Sequence, residues 1–305
     1  MQVYIHTKFE ERETESLKLS LSKNYKVIIG SELPEELRKD AFLTSEICLG
    51  NVPLAWAQET KKLQWLQLHS AGLDPYQELN EINFKITNLK GFFGQSVAET
   101  ALAGIMAMYR GIDRLSRWQT EKHWVGTPLR ASLQLLSKSN VIILGSGAIG
   151  LTLEKLMSGF DCDVKVFSTK NIDQLDAQLP ACDILISCLP ETAETIGLIS
   201  EKRLHLLKKE ALFVNVGRGS NTDENALIKL LETNPDFRAM LDVTETEPLP
   251  KESPLWHLPN VLLTQHTSGG WDDENMGKVK FFLKNLERFE KGETLENIAN
   301  LKRGY

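Results

Sequence analysis

Val141-Ile142-Ile143-Leu144-Gly145-Ser146-Gly147-Ala148-Ile149-Gly150 joins an aliphatic run directly to a glycine-rich turn. Four aliphatic residues without polar alternation suit a strand buried on both faces, as in a parallel sheet covered by helices. The run passes straight into G-x-G-x-x-G and then into a helical segment, 151–158. Gly145 permits the tight turn, Gly147 lets a pyrophosphate approach the backbone, and Gly150 lets the helix pack closely on the strand. The helix amino terminus, around Ala148 and Ile149, offers N–H donors and positive dipole character to phosphates. Bare glycine spacing is a weak signal, but with this strand and helix around it the expectation is a dinucleotide site.

The next strand, Val164-Lys165-Val166-Phe167, ends in Ser168-Thr169-Lys170. A carboxylate at this position binds the ribose 2′-hydroxyl of NAD, whereas a 2′-phosphate needs hydroxyls and positive charge. Ser168 and Thr169 can donate to phosphate oxygens and Lys170 can offset its charge, which favours NADP(H) over NAD(H). A solvated loop with Lys170 in water is the bland alternative.

Further strand-like runs follow at Ile184-Leu185-Ile186-Ser187, Leu212-Phe213-Val214-Asn215, Ala239-Met240-Leu241 and Val261-Leu262-Leu263, separated by helical or polar segments. They predict a doubly wound parallel sheet with ligands at the carboxyl ends of its strands. An earlier series, Val3-Tyr4-Ile5, Val27-Ile28-Ile29, Ile47-Cys48-Leu49, Leu66-Gln67-Leu68 and Lys85-Ile86-Thr87, predicts a smaller α/β layer. Between the two, 95–124 carries apolar residues at helical spacing and reads as one long bridging helix. A last helix, about 272–291, places Val279, Phe282, Leu283, Leu286 and Phe289 on one face. The expected division is 1–94, completed by 272–305, for the smaller domain and 95–271 for the larger.

Composition agrees with a soluble globular α/β protein. The chain has 305 residues, 42% hydrophobic and 25% charged, enough for two domains and too long for a disulfide scaffold. Its net charge of −6 excludes a general attraction to nucleic acid or anionic membrane. No apolar run approaches the ~20 residues of a membrane span, and no leader precedes the first strand, so a cytoplasmic protein is expected. Cys48, Cys162, Cys182 and Cys188 lack metal-ligand spacing and read as reduced core residues; no metal site is expected.

Three segments place polar groups at strand ends: Val214-Asn215-Val216-Gly217-Arg218-Gly219, Leu241-Asp242-Val243-Thr244-Glu245-Thr246-Glu247-Pro248-Leu249-Pro250, and Leu263-Thr264-Gln265-His266-Thr267-Ser268-Gly269-Gly270. Together with the glycine fingerprint they resemble the D-isomer-specific 2-hydroxyacid dehydrogenase family. The resemblance extends in order along the chain. It takes in Leu68-His69-Ser70-Ala71-Gly72-Leu73-Asp74, Ser96-Val97-Ala98-Glu99, Leu189-Pro190-Glu191-Thr192 and Asp223-Glu224-Asn225-Ala226-Leu227. It ends with Gly292-Glu293-Thr294-Leu295-Glu296-Asn297 and the terminal Arg303-Gly304-Tyr305. The terminal Arg-Gly-Tyr, with Arg117-Trp118 and Trp124, is most similar to the glyoxylate/hydroxypyruvate reductase branch.

The resemblance implies a Rossmann domain with a smaller flavodoxin-like α/β domain, and an oxidoreductase that interconverts 2-oxo and 2-hydroxy acids with a nicotinamide cofactor. Residue chemistry supports three roles independently. Arg218 has the planar fork to hold a carboxylate and polarise a ketone, His266 titrates near neutrality, and Glu247 can orient the ring and stabilise its cation. By resemblance, amides around Ala71 and Gly72 grip the substrate carboxylate, making the cleft between domains the active site. Asp242 is implied to bond the nicotinamide carboxamide, with Leu189, Pro190, Thr195, Val216, Gly217, His266 and Gly269 around the cofactor. Ala71-Gly72 as a plain tight turn, and Asp242 as a cap of the loop after its strand, are the structural alternatives. Trp118 and Trp124 read as packing or dimer contacts, and the family implies a homodimer through 95–124.

Departures are also visible. Gln265 stands where the family usually has proline, Thr244 where an aromatic is common, and Thr100 where histidine often follows Ala-Glu. They bear on substrate preference more than on reaction type. The rival readings are a phosphoglycerate dehydrogenase-like oxidation, in a chain with no room for a carboxyl-terminal regulatory domain, and a nucleotide-sensing co-repressor-like protein without turnover.

Overall fold

The computed structural model describes residues 1–73, 76–79 and 82–301, so Asp74 and Arg303-Gly304-Tyr305 lie outside the described residues. The chain divides into two compact units, Met1–Phe92 with Trp271–Tyr305, and Phe93–Gly270. These divisions fall one or two residues before the expected ones.

In the first unit β1 (Gln2–Ile5), β2 (Lys26–Ile29), β3 (Ile47–Leu49), β4 (Trp65–Gln67) and β5 (Lys85–Thr87) form one parallel sheet, order β2-β1-β3-β4-β5. This is the flavodoxin-like order. Helices α1 (Glu11–Leu21), α2 (Glu35–Leu43) and α3 (Leu54–Glu59) make the first three crossovers. Pro34 and Pro53 stand immediately before α2 and α3, where a helix has no intrahelical use for the missing N–H.

The second unit begins with α4 (Gly94–Tyr109) and α5 (Ile112–Thr120). Its sheet contains β6 (Asn140–Leu144), β7 (Asp163–Phe167), β8 (Ile184–Ser187), β9 (Leu212–Asn215), β10 (Arg238–Leu241) and β11 (Val261–Leu263). All pairings are parallel, in the order β11-β10-β9-β8-β6-β7. The chain leaves β6 for β7 on one side and resumes with β8 on the other, so the carboxyl ends of β6 and β8 flank the switch point. Helices α6 (Ala148–Ser158), α7 (Leu175–Gln178), α8 (Glu201–Leu206) and α9 (Glu224–Thr233) complete the unit.

Strand periodicity explains the continuous apolar runs. Val141, Ile143, Ile184, Ile186, Leu212, Val214 and Met240 share one core with α4 and α6 residues. The alternate residues Ile142, Leu144, Leu185, Phe213, Ala239 and Leu241 share the other with Leu204, Leu227 and Leu231. Both faces are dry, and a buried aliphatic side chain of this size contributes about 1.5–3 kcal/mol.

The single bridging helix expected over 95–124 is two helices. Arg110 closes α4, and Gly111, at φ +68°, takes the left-handed conformation that ends a helix at little cost to glycine. The apolar spacing runs on across the break, which is why periodicity alone joins the two. No residue of α5 is buried, and its Ile112 and Leu115 are exposed. Trp118 packs on His123, with ring centres 5.7 Å apart, and Trp124 is 92% exposed, so Trp124 has no packing role within the chain.

After the second unit the chain returns to the first as α10 (Glu274–Glu290). Val279, Phe282 and Leu286 join Val3, Ile5, Ile47 and Leu49 in one core. Trp65 of β4 stacks on Phe282 at 5.1 Å and on Phe289 at 5.7 Å, and its indole N–H donates to Thr87 Oγ1 at 2.7 Å. Thr87 Oγ1 donates on to Gln67 Oε1 (2.8 Å), which also accepts from Asn285 Nδ2 (3.2 Å). Among the described residues, no helix is long and apolar enough to cross a membrane.

Candidate active site

The glycine turn between β6 and α6 separates its three glycines by what surrounds them. Gly145 is at φ +113°, and a Cβ there would lie 3.0 Å from the Cys188 carbonyl oxygen; a Cβ at Gly150 would run into the carbonyl oxygen of Gly145. At Gly147 a Cβ would meet nothing within 4 Å. The outer two are closed by protein and the middle one is open, the arrangement a pyrophosphate needs. Gly147 caps α6 without a side-chain hydrogen bond, and the first turn, with Ala148, Ile149 and Gly150, carries no acid, so its N–H groups suit an anion. Cys188 Sγ donates to Leu144 O at 3.0 Å beneath this turn. Burial pushes its thiol up to about 12, so it stays a neutral packing group.

Ser168, Thr169 and Lys170 follow β7 directly. Asn171 folds them into a tight turn: its Oδ1 accepts from Ser168 N at 2.8 Å, while Ser168 Oγ accepts from Lys170 N at 3.3 Å. Thr169 and Lys170 are exposed. Past β8, Thr195 is buried and its hydroxyl is committed to its own loop, donating to Pro190 O (2.7 Å) and accepting from Thr192 N (2.8 Å). Thr195 therefore shapes the loop of Leu189 and Pro190 through its side chain.

Arg218 sits in a turn held by two asparagines. Asn215, the last residue of β9, accepts from Gly217 N (3.1 Å) and donates to Arg218 O (3.0 Å), while Asn221 Oδ1 accepts from Arg218 N (3.2 Å). Arg218 is half-buried, and its Nη1 donates to Gly217 O at 2.8 Å. A Cβ at Gly217 would lie 2.5 Å from Leu189 O, and one at Gly219 would enter the Thr244–Glu245 peptide. These contacts press the Arg218 turn against the loops after β8 and β10. Val216, also buried, donates its N–H to Ser187 O at 2.9 Å.

Glu247 and His266 come from the loops after β10 and β11 and meet. Glu247 Oε2 is 2.6 Å from His266 Nδ1, and Glu247 Oε1 accepts from Thr244 N at 3.1 Å. One oxygen thus anchors the carboxylate while the other holds the imidazole. Asp242, buried at the end of β10, holds the histidine loop: Oδ1 accepts from Thr264 Oγ1 (2.6 Å), Thr267 N (3.1 Å) and Ser268 N (3.2 Å), and Oδ2 from Ser268 Oγ. Its backbone oxygen accepts from His266 N at 2.6 Å. Within that loop Gln265 and His266 are both left-handed, at φ +53° and +54°. A cavity of about 370 Å³ beside the pair is lined by Leu249, Trp256 and Gln265 among others. Gly269 packs on the Phe93 ring, with Ser96 Oγ donating to its carbonyl at 3.1 Å.

In the first unit, Ala71 and Gly72 lie in a loop built on asparagines. Asn51 accepts from His69 N (3.0 Å) and donates to Ser70 Oγ (2.9 Å), Ser70 Oγ donates to Gly72 O (3.0 Å), and Asn88 Nδ2 donates to Ala71 O (2.7 Å). The carbonyls of Ala71 and Gly72 are thus occupied. Among the described residues, their N–H groups donate to no backbone carbonyl. His69 Nδ1 is 2.8 Å from Thr7 Oγ1, and burial first, then the charges of Lys278 and His6, lowers its pKa to about 4.

Sequence reasoning missed Asn51, Asn88, Asn215 and Asn221, and the anchoring role of Thr264 and Ser268. Asn51, Asn88, Thr264 and Ser268 act through a partner in a distant segment, so no local spacing marks them. Asn215 and Asn221 bond within their own turn, and a polar residue closing an apolar strand, as at Asn215, is the one signal available.

Comparison with known proteins agrees with this architecture. The model of the D-isomer specific 2-hydroxyacid dehydrogenase NAD binding domain matches residues 102–268. Glyoxylate/hydroxypyruvate reductase B of Serratia proteamaculans is 30% identical over 267 residues, covering 82% of each chain. Glyoxylate/hydroxypyruvate reductase A of an Enterobacter species is 30% identical over 223 residues, 70% of each. A D-isomer specific 2-hydroxyacid dehydrogenase family protein of Aeromonas salmonicida superposes with a TM-score of 0.85 at 25% identity, over 98% of this chain and 99% of that one. With half of its length matched by the family's cofactor-domain model and its relatives named as reductases, the chain belongs to the D-isomer specific 2-hydroxyacid dehydrogenases, on the glyoxylate/hydroxypyruvate reductase-like branch of these NAD(P)-dependent oxidoreductases.

Proposed function

We propose that the protein is an NADPH-dependent reductase of small 2-oxo acids, acting through Arg218, Glu247 and His266. The observation that carries this reading is the 2.6 Å contact between His266 Nδ1 and Glu247 Oε2 at the carboxyl edge of the sheet that bears the fingerprint. Glu247 fixes the tautomer by engaging Nδ1, so Nε2 is the atom that gives its proton to the C2 oxygen in reduction and takes it back in oxidation. Arg218 holds the substrate carboxylate and draws charge towards the ketone oxygen. The Ala71 and Gly72 amides are further carboxylate donors.

The cofactor, when bound, supplies the hydride. Gly145, Gly147, Ala148, Ile149 and Gly150 would hold its pyrophosphate, and Ser168, Thr169 and Lys170 its 2′-phosphate. Leu189, Pro190, Thr195, Val216, Gly217, Asp242, His266 and Gly269 would surround the remainder. With Oδ1 already accepting three bonds and Oδ2 one, Asp242 has least capacity to spare at Oδ1, so Oδ2 is the oxygen to receive a carboxamide N–H. The exposed Ile112, Leu115 and Trp124 support a homodimer through this region.

The test is a spectrophotometric panel of NADPH and NADH against glyoxylate, hydroxypyruvate, pyruvate, phenylpyruvate and branched 2-oxo acids. Oxidation of neither cofactor by any of them refutes the reading. Ser168→Asp should move preference towards NADH, and an unchanged ratio would show that the 2′-phosphate site is misplaced. Light scattering that gives a monomer would remove the dimer.

A further inference from the structure

Parallel pairing brings the carboxyl ends of β1 and β2 to one edge of the first unit's sheet. His6 and Lys8 follow β1, Gly30 and Ser31 follow β2, and Arg38 reaches the same place from α2. With Tyr4, these residues line a cavity of about 330 Å³. Its walls carry two permanent cations, an imidazole and two hydroxyls, and no carboxylate. Gly30 leaves no space for a side chain in this wall: a Cβ there would stand 2.5 Å from Tyr4 Oη.

Neighbouring cations make the charge pattern informative. Lys18 of α1 pairs with Glu32 at 2.5 Å and Lys39 of α2 with Glu59 at 2.8 Å. Those two acids are therefore engaged elsewhere. Among the described residues, neither Lys8 nor Arg38 has a carboxylate partner, although Arg38 Nε is fixed by donation to Leu33 O at 3.1 Å. Burial, then the charge of Arg38, lowers the pKa of His6, and burial pushes the Tyr4 hydroxyl up to about 12. The cavity therefore presents fixed positive charge and neutral donors. His6 is further held by Trp56, edge-on at 5.6 Å.

We propose that Lys8, Arg38, His6, Ser31 and Tyr4 form an oxyanion site in the first unit, separate from the glycine turn, that takes a phosphate or carboxylate group. Charge-assisted donors of this kind are the strong ones for oxyanions, and Arg38 offers a fork to two oxygens. The next residue after His6, Thr7, bonds His69 at 2.8 Å, at the head of the Ser70–Gly72 loop. The oxyanion is either a free anion or the second anionic group of a substrate.

The test is titration of the full chain with inorganic phosphate at constant ionic strength, followed by the His6 imidazole resonances and by calorimetry. Binding is expected to saturate in the millimolar range and to weaken at least tenfold in Lys8→Glu and in Arg38→Gln, whose amide can still donate to Leu33 O. No saturable His6 shift, or equal affinity in both folded variants, overturns the site. These readouts need no turnover, so they stand apart from the proposed reductase activity. Where turnover is present, a higher KM in Lys8→Glu for phosphorylated or dicarboxylate 2-oxo acids only assigns the site to the substrate's second group. Phosphate binding with unchanged KM values assigns it to a free anion.

Discussion

Replacing Asp242 by alanine tests whether the histidine loop is held where the structure places it. The carboxylate accepts four hydrogen bonds, from Thr264 Oγ1, Thr267 N, Ser268 N and Ser268 Oγ. Thr267 is exposed and Thr264 half-buried, so water can replace Asp242 at those two donors, whereas Ser268 is 4% exposed and its two donors are left unpaired. At about 1–3 kcal/mol for each buried unpaired group, the loss is about 2–6 kcal/mol, its lower end set by relief of the carboxylate's own desolvation. That corresponds to a fall in Tm on the order of 10 °C for a unit of this size. Asp242→Asn keeps an acceptor, and Ser268 Oγ can turn to accept from the new amide, so about 1–2 kcal/mol is expected. Thermal unfolding ranks the three proteins, and turnover reports the 247–266 contact, which should loosen in the alanine variant more than ligand affinity falls. An alanine variant within about 1 kcal/mol of the parent would refute the anchoring argument.

Other consequences follow from the same geometry. Gly147→Ala should leave stability within about 1 kcal/mol, since its φ of −80° and open surroundings accept a methyl, yet weaken cofactor binding; Gly150→Ala should destabilise by about 3 kcal/mol or more, and equal unfolding of the two would contradict the division of roles. His69, lowered from 6.5 to about 4, stabilises the fold fully above about pH 6.5 and loses that contribution as pH falls towards 4, because the unfolded chain takes up the proton first. His69→Gln should flatten acid-side stability over this window by about 3 kcal/mol at most, as read by denaturant melts at several pH values. Gln265→Pro would restore the family's usual residue, but proline fixes φ near −65° against the observed +53°, so turnover and Tm should both fall. A fully active proline variant would show that the loop adopts another backbone.

Most strands were legible as apolar runs bounded by polar or glycine residues, although Lys85-Ile86-Thr87 and Val164-Lys165-Val166-Phe167 carry polar residues within them, and the eleven strands among the described residues fall within two residues of the runs read from the sequence. The flavodoxin-like order β2-β1-β3-β4-β5 and the switch between β6 and β8 follow from parallel crossovers rather than from any one residue. Helix ends were less legible: at Arg110-Gly111 a single left-handed residue interrupts an unbroken apolar period. In the site, Glu247 and His266 could be read from residue type and position after strands, but their 2.6 Å contact depends on loops anchored by Asp242 and Thr244. Asp242 acts across to the loop after β11 and leaves no local period, and distance in sequence also hides the convergence of Arg38 with His6 and Lys8 from two separate segments.

The return of α10 to the first unit has a consequence during synthesis. Trp65, Val3, Ile5 and Ile47 leave the ribosome early, yet Phe282, Val279 and Leu286 cover them only once the last tenth of the chain emerges. At roughly 5–20 residues per second, translation of the intervening unit delays that cover by on the order of ten seconds or more. The nascent first unit thus presents an aromatic and aliphatic face to chaperones for the whole of that interval, while Phe93–Gly270, contiguous in sequence, can fold as it emerges. A chain truncated at Gly270 should therefore carry a protease-resistant second unit and a protease-sensitive first one.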